Sequence, residues 1–451
     1  MADRHPNLLF VFADQMRAQD CGFMGNAQVR TPAMNRMAEE GVVFENAVSS
    51  CPVCTPYRAS LLTGRYPLAC RTAMNDVRLP VDELSIAEVL GDAGYATGYI
   101  GKWHLDGSYR GGFIPPGPRR QGFDFWAANE GTHNYINTFY YRDDPEPIYI
   151  DGYSADGFTD IAIDFIDDHA DDPFSLFISW APPHNPYHAM PEKYDRYDPA
   201  KIDLRPNTEE FAREDIAGYY GHITALDRNL GRLLLELEEQ GIADDTIVVF
   251  TSDHGDMLGA QGLQRKQKPW DESIMVPWVM QWPNGLPKGL RTDTLLNVPD
   301  IMPTLLSLMG VGIPDTVQGY DLSRAARNEG GIEPTSAYIA NPMPFPGDQH
   351  DGGPWRGVRT KTHTYVEDEN GAWMLYDNEA DPYQQTNLVD KPEAVGTRRE
   401  LHEELVAWMT EIGDDGGTKD ELVERFGYEV DERGVVPYYN EVGRHDPDNE
   451  V

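Results

Sequence analysis

Four short apolar runs of this chain end in polar clusters: Asp14-Gln15, Gly101-Lys102-Trp103-His104, Pro183-His184-Asn185 and Asp253-His254-Gly255-Asp256. If the runs are parallel strands of one sheet, these clusters share a site, because ligands of open α/β sheets gather at the carboxyl ends of strands. Asp14, Gln15, Asp253 and His254 would then offer carboxylate, amide and imidazole donors. An oxygen-rich set of that kind suits calcium, magnesium or manganese better than softer metals. Each pair taken alone equally suits a turn, since Asp readily bonds its own backbone.

Between Asp14 and Lys102 lies Cys54-Thr55-Pro56-Tyr57-Arg58, followed by Ala59-Ser60-Leu61-Leu62-Thr63-Gly64-Arg65. Pro56 suits a helix start and the apolar run behind it packs as a helix, leaving Cys54 near an amide-rich N-terminus that favours negative charge. A bare thiol there has a lowered pKa and could act as a thiolate nucleophile. Cys51-Pro52-Val53-Cys54 also has the spacing of a redox pair. Zinc fits less well, as no second Cys or His pair follows at ligand spacing.

The elements that must position these residues follow from periodicity. Residues 7–14 read as a buried parallel strand, with strands again at 96–100, 174–180 and 246–251. Helices are expected at 31–40, with Thr31 as N-cap and Pro32 at N1, and at 85–93, 155–168 and 210–240. Alternation of this kind predicts an α/β fold with a large, mostly parallel central sheet sandwiched by helices. After about residue 330 the runs 355–366 and 372–376, broken by Asn370-Gly371, read as hairpins, with a helix near 393–411. The expected division is a catalytic α/β domain over 1–330, an antiparallel-sheet-plus-helix subdomain over 331–413, and an acidic tail over 414–451 with little core-forming pattern.

Composition narrows the partners. With 75 acidic against 37 basic residues the formal net charge is −38, which argues against nucleic acid or an anionic membrane as a partner. An anionic substrate would be repelled at long range, so its site must carry local positive charge. No stretch approaches the roughly 20 apolar residues of a membrane span. The start, Met1-Ala2-Asp3-Arg4-His5-Pro6, enters an apolar segment with no leader pattern, and a cytoplasmic location is expected.

The block from Cys54 to Arg65 resembles the formylglycine-dependent sulfatases of the alkaline phosphatase superfamily, whose signature is Cys-x-Pro-x-Arg before a Leu-Thr-Gly stretch. The resemblance extends from Asn7 to about Leu388. Ala13-Asp14-Gln15 looks like the first metal motif, with Gln15 where many members carry Asp. Ser252-Asp253-His254-Gly255-Asp256 looks like the second, with His254 where some carry Asn. Gly101-Lys102-Trp103-His104-Leu105 and Pro182-Pro183-His184 are similar to two further motifs. Lys266, four residues before Trp270, has the spacing of the family's substrate-contacting Lys, and Lys268 is its rival. The run from Leu375-Tyr376-Asp377 to Asn387-Leu388 is similar to the edge of the family's C-terminal subdomain.

The resemblance implies an alkaline-phosphatase-like fold and a sulfatase that hydrolyses sulfate monoesters. Cys54 would be oxidised to formylglycine by a separate maturation enzyme, with Asp14, Gln15, Asp253, His254 and the modified residue holding Ca2+, or Mg2+ or Mn2+ in its place. Arg58 and Lys102 would hold the hydrated aldehyde and the sulfate, His184 and Lys266 would bind sulfate and protonate the leaving oxygen, and His104 would be the base for sulfate release. The substrate expected is a sulfated small molecule or glycan, with a carbohydrate favoured by the Pro182 to Tyr187 stretch. The alternatives are a phosphonate monoester hydrolase or phosphodiesterase of the same superfamily, and a non-catalytic binding homologue with unmodified Cys54.

Overall fold

The computed structural model describes residues 5–346, 353–440 and 442. Its first six strands are β1 Asn7–Asp14, β2 Val42–Val48, β3 Ala96–Lys102, β4 Phe125–Asn129, β5 Phe139–Tyr140 and β6 Ile148–Tyr149. Then come β7 Phe174–Pro183, β8 Thr246–Ser252, β9 Val279–Gln281 and β10 Leu290–Asn297, and finally β11 Ser336–Asn341, β12 Trp355–Thr360, β13 His363–Asp368 and β14 Gly371–Asp377. The helices are α1 Pro32–Glu40, α2 Cys54–Thr63, α3 Ile86–Asp92, α4 Ser154–Asp168 and α5 Arg213–Glu239. They continue with α6 Asp271–Ile274, α7 Ile301–Leu308, α8 Ser323–Ala326, α9 Val395–Ile412 and α10 Lys419–Phe426.

The central sheet has the order β10-β2-β9-β8-β1-β7-β3-β4. Only β9 runs antiparallel to its neighbours, β2 and β8, so the sheet is mostly parallel as expected. Every residue of β1 is buried, because a parallel strand inside such a sheet is covered on both faces. Its alternate side chains feed two cores. Leu9, Val11 and Ala13 join residues of α1, α4 and α5, whereas Leu8, Phe10 and Phe12 join residues of α2, α3 and α7. Phe10 stacks on Phe177 of β7 at 5.0 Å. Each such burial is worth roughly 1.5–3 kcal/mol against exposure.

The register aligns the strand ends that matter. Ala13 pairs with Ser252 of β8, Asp14 with Pro183 of β7, and Gly101 of β3 with Ser179 of β7, which sets four polar clusters on one edge of the sheet. Gly101, at φ 103°, permits this closeness, since a Cβ there would lie 2.0 Å from the Ser179 carbonyl oxygen. Beyond the sheet, β11 to β14 form an antiparallel meander whose Tyr338, Val358, Tyr365 and Leu375 pack with Leu401 and Leu405 of α9.

Three expectations change. Thr31 precedes α1 but makes no side-chain cap. Its hydroxyl instead accepts from the Gly22 N–H at 2.9 Å and donates to Asn35 at 3.2 Å. The helix expected over 210–240 opens with a 3-10 turn, Glu210–Ala212, before α5. The segment after 413 is not without a core: Thr418 makes a capping box with Glu421 at the start of α10. Leu422 and Val436 of this segment are buried with Met74, Val77 and Met343. Those few apolar residues are too sparse for a periodic signal, and they find partners far along the chain, in the 73–77 loop and at Met343. Among the described residues, no helix is long and apolar enough to cross a membrane.

Candidate active site

The centre of the site is the first turn of α2. Val53, in extended conformation, precedes Cys54, so the thiol sits at the helix N-terminus as its sequence suggested. Cys54 Sγ lies 3.3 Å from His254 Nε2, 3.5 Å from Lys266 Nζ and 3.8 Å from Asp14 Oδ1. Burial and Asp14 push this thiol up, but Lys102, Lys266 and His254 outweigh them and hold it well below the usual thiol range. Cys51, three residues earlier, is driven the other way by burial and Cys70, and all four cysteines are free thiols. The two sulfurs of the Cys-x-x-Cys therefore differ in character, and Cys54 is the one poised as an anion.

Ligand atoms of Asp14, Cys54, Asp253 and His254 all lie within 4.8 Å of one another and are buried. Arg58 ties the two carboxylates, donating to Asp14 Oδ2 at 3.1 Å and Asp253 Oδ2 at 3.4 Å, and is itself held by the Lys102 carbonyl and Ser179 Oγ at 2.7 Å each. Burial opposes ionisation of Asp14, yet Lys102, donating to it at 2.6 Å, together with Arg58 and Lys266 keeps its carboxyl well below the usual range. Asp253 goes the other way, pushed up to about 6 by burial and the Asp14 charge. Two carboxylates, a depressed thiol and an imidazole converging in a buried cluster form a donor set that a cation would balance.

The donor geometry fits one. His254 Nδ1 must donate to the Gly255 carbonyl at 2.9 Å, so Nε2 is the ring atom that faces the cluster and would offer its lone pair to a cation on losing its proton. Gln15 presents its amide oxygen toward Lys266 Nζ at 3.0 Å, while its NH2 is fixed by Asp256 at 2.7 Å and Tyr187 in turn donates to Asp256 at 2.6 Å. Such outer partners orient ligands around a metal. Oxygen donors with one imidazole match a hard divalent cation. Gln15 at φ 71° turns the chain sharply off the end of β1, a left-handed conformation costing roughly 1–2 kcal/mol that persists where packing over-determines it.

A cavity of about 390 Å³ opens onto Cys54 and is lined by Lys102, His104, His184 and Lys266 among others. Lys266 Nζ lies 2.7 Å from His184 Nε2. Since His184 Nδ1 donates to the Asn185 carbonyl at 2.8 Å, Nε2 is the acceptor and the ring is neutral. Burial, Lys266 and His133 accordingly hold its pKa well below the usual histidine range. His104 Nε2 lies 3.1 Å from Asp76 Oδ1, and Arg110 clasps the same carboxylate at 2.6 and 2.7 Å, holding it below the usual range against the cost of burial. This leaves His104 Nδ1, which is buried and has no partner among the described residues, as the acceptor of that ring.

All the residues singled out by sequence, Asp14, Gln15, Cys54, Arg58, Lys102, His104, His184, Asp253, His254 and Lys266, thus surround one point. Sequence reasoning assigned no role to Asp76, Arg110, Ser179, Tyr187 and Asp256, of which Tyr187 and Asp256 stood in quoted stretches. It also missed Arg433, Val435, Val436 and Tyr438, which line the cavity from the C-terminal segment. These carry no local signature, because their roles depend on contacts far along the chain.

Comparisons with known proteins agree with this geometry. A family model described as sulfatase matches residues 6–311, and one described as N-sulphoglucosamine sulphohydrolase, C-terminal, matches residues 259–411. An ulvan-active sulfatase of Formosa agariphila is 41% identical over 446 residues, covering 96% of this chain and 87% of that protein. An endo-4-O-sulfatase of Bacteroides thetaiotaomicron is 29% identical, with 94% and 96% covered. A solved structure assigned to the sulfatases, from Bacteroides fragilis, superposes with a TM-score of 0.84 at 30% identity, with 92% of this chain and 98% of that one covered.

Proposed function

This chain belongs to the formylglycine-dependent sulfatase family of the alkaline phosphatase superfamily, and we propose on that premise that it removes sulfate from a sulfated carbohydrate. The observation that carries the reading is the buried cluster itself: Cys54 at a helix N-terminus, between a carboxylate cation site and the Lys266–His184 pair. The 41% identical relative acts on ulvan, so ulvan oligosaccharides are the first sugars to test.

Cys54 Sγ stands where the oxygens of the hydrated formylglycine aldehyde would lie. That group supplies an oxygen nucleophile and a route for releasing sulfate, once a maturation enzyme has oxidised the thiol. Asp14, Gln15, Asp253 and His254 would hold the cation, with calcium favoured by the oxygen-rich set. When bound, it lowers the nucleophile's pKa and neutralises sulfate charge.

The chain's own residues do the rest. Lys102 and Lys266, both buried, bring fixed positive charge to the sulfate oxygens, which offsets the repulsion of a molecule carrying −38. Lys266 and His184 share a hydrogen-bonded proton 2.7 Å across, so that His184 Nε2 can pass one to the departing alcohol oxygen. Arg58, donating to both Asp14 and Asp253, keeps the two carboxylates aligned. His104, its Nε2–H directed to Asp76, retains Nδ1 to take a proton when sulfate leaves.

The test is protein coexpressed with a maturation enzyme, with the peptide spanning Cys54 weighed and sulfate release measured on ulvan oligosaccharides, other sugar sulfates, an aryl sulfate and a phosphonate monoester. A mass shift from CH2SH to CHO with sugar sulfate preferred supports the reading. An unmodified Cys54 without turnover, or a phosphonate preferred over every sulfate, overturns it.

A further inference from the structure

The cavity over Cys54 is completed by a stretch of chain that neither family model covers, since the second match ends at residue 411. Arg433, Val435, Val436 and Tyr438 all line it. The stretch is firmly held. Val436 is buried with Met74 and Leu422, the Tyr439 N–H donates to the Ser108 carbonyl at 2.8 Å, and the Tyr439 ring stacks on Tyr109 at 5.1 Å. Tyr438, between these anchors, has the Arg110 guanidinium 3.7 Å from its ring centre, and 47% of its surface is still exposed. Arg433 is fixed by two bonds to Asp431 at 2.9 and 2.7 Å yet keeps an exposed side chain.

On the same cavity, Asn185 Oδ1 is buried and has no hydrogen-bond partner among the described residues. It directly follows His184, whose Nε2 meets Lys266. An acceptor beside the sulfate-binding pair, a guanidinium and a phenol ring together match a polyhydroxylated ring. Its hydroxyls would bond the amide and guanidinium, and its C–H face would lie against the aromatic. A cavity of about 390 Å³ lies within the range of small-molecule sites.

We propose that Arg433 and Tyr438, with Asn185, form the subsite for the sugar ring that carries the ester, making the C-terminal segment 433–438 a specificity determinant of this sulfatase. The inference rests on the carbohydrate sulfatase reading and goes beyond it by assigning the leaving-group side. Contacts to a non-reacting part of a substrate raise kcat/KM for substrates that possess that part and do little for those that lack it.

The experiment compares wild type with Arg433→Ala and Tyr438→Ala, as full-length formylglycine-bearing protein. The substrates are 4-nitrophenyl sulfate and the sugar sulfate turned over fastest in the screen above. The ratio of sugar to aryl kcat/KM should fall about tenfold or more in each variant, as for the loss of one well-packed contact. Equal falls on both substrates would assign the segment a purely structural role and overturn the subsite while leaving the sulfatase reading intact. Aryl turnover without turnover of any sugar in the wild type would overturn the subsite and the carbohydrate reading together. Loss of turnover on aryl and sugar sulfates alike in the wild type would instead strike at the sulfatase reading itself.

Discussion

Lys266 is the residue on which the site's charge balance turns. Its ammonium is within 3.5 Å of Cys54 Sγ and bonded to both Gln15 Oε1 and His184 Nε2, at 3.0 and 2.7 Å. Removing it takes away one fixed charge and the proton donor of His184 at once. Lys266→Ala should therefore lower kcat on an aryl sulfate by about 10²–10³, the usual cost of one preorganised oxyanion donor. The melting temperature should fall as well, because the buried Asp14 carboxylate loses a counter-charge and Gln15 and His184 lose a partner. A variant with kcat intact would remove Lys266 from the chemistry. Metal removal belongs at this scale too: a chelator should abolish turnover and lower the melting temperature, because a cation bound only by the folded state stabilises it. Calorimetry with and without added calcium reads both.

Helix α3 shows how an element is specified by its end. Ser85 Oγ accepts from the Glu88 N–H at 3.1 Å, and Glu88 returns a bond to the Ser85 N–H at 2.9 Å, closing the capping box before β3 delivers Lys102. Ser85→Ala should cost about 1 kcal/mol of stability, with activity per folded molecule retained. Denaturant unfolding measures it, and an unchanged midpoint would refute the cap's contribution. Helix α5 carries a different device. His222, fully buried, accepts from the Tyr153 hydroxyl at Nδ1 over 2.7 Å and faces the Pro186 carbonyl through Nε2, and burial pushes its pKa down to about 3. The unfolded chain, near 6.5, takes the proton first as pH falls. Stability from this group is thus whole above about pH 6.5 and is lost progressively toward pH 3. His222→Gln should make the acid-side fall of melting temperature shallower, whereas a parallel fall would assign the acid limb to other groups.

For the molecule as a whole, a net charge of −38 opposes the approach of any sulfated polymer, while the cavity over Cys54 gathers Lys102, Lys266, Arg110, Arg265 and Arg433. Screening should weaken the long-range repulsion more than the short-range attraction in the site. On anionic oligosaccharides kcat/KM should therefore rise a few-fold between roughly 0.01 and 0.15 M ionic strength, and change less on a singly charged aryl sulfate. A fall with salt would mean that the cationic cavity, not the acidic surface, governs encounter.

The chain's local patterns determined the alternating α/β architecture, the strand ends that carry Asp14, Lys102, His184 and Asp253, and the position of Cys54 at a helix start. They could do so because strand burial, helix capping and motif order are short-range properties legible within a dozen residues. Other features were decided only by tertiary packing. Lys266 and Lys268 look alike in sequence, but left-handed backbone at Arg265 and Gln267, φ 58° and 75°, turns the chain so that the Lys266 ammonium meets Cys54 and His184. Asp76 reaches His104, Asp256 reaches Gln15 and Tyr187 reaches Asp256, across separations that no local pattern encodes. The 433–438 segment, read as part of an acidic tail, becomes a wall of the site because Leu422 and Val436 find apolar partners near Met74. Side chains hundreds of positions apart meet only when the whole core has closed, and sequence spacing holds no measure of that distance.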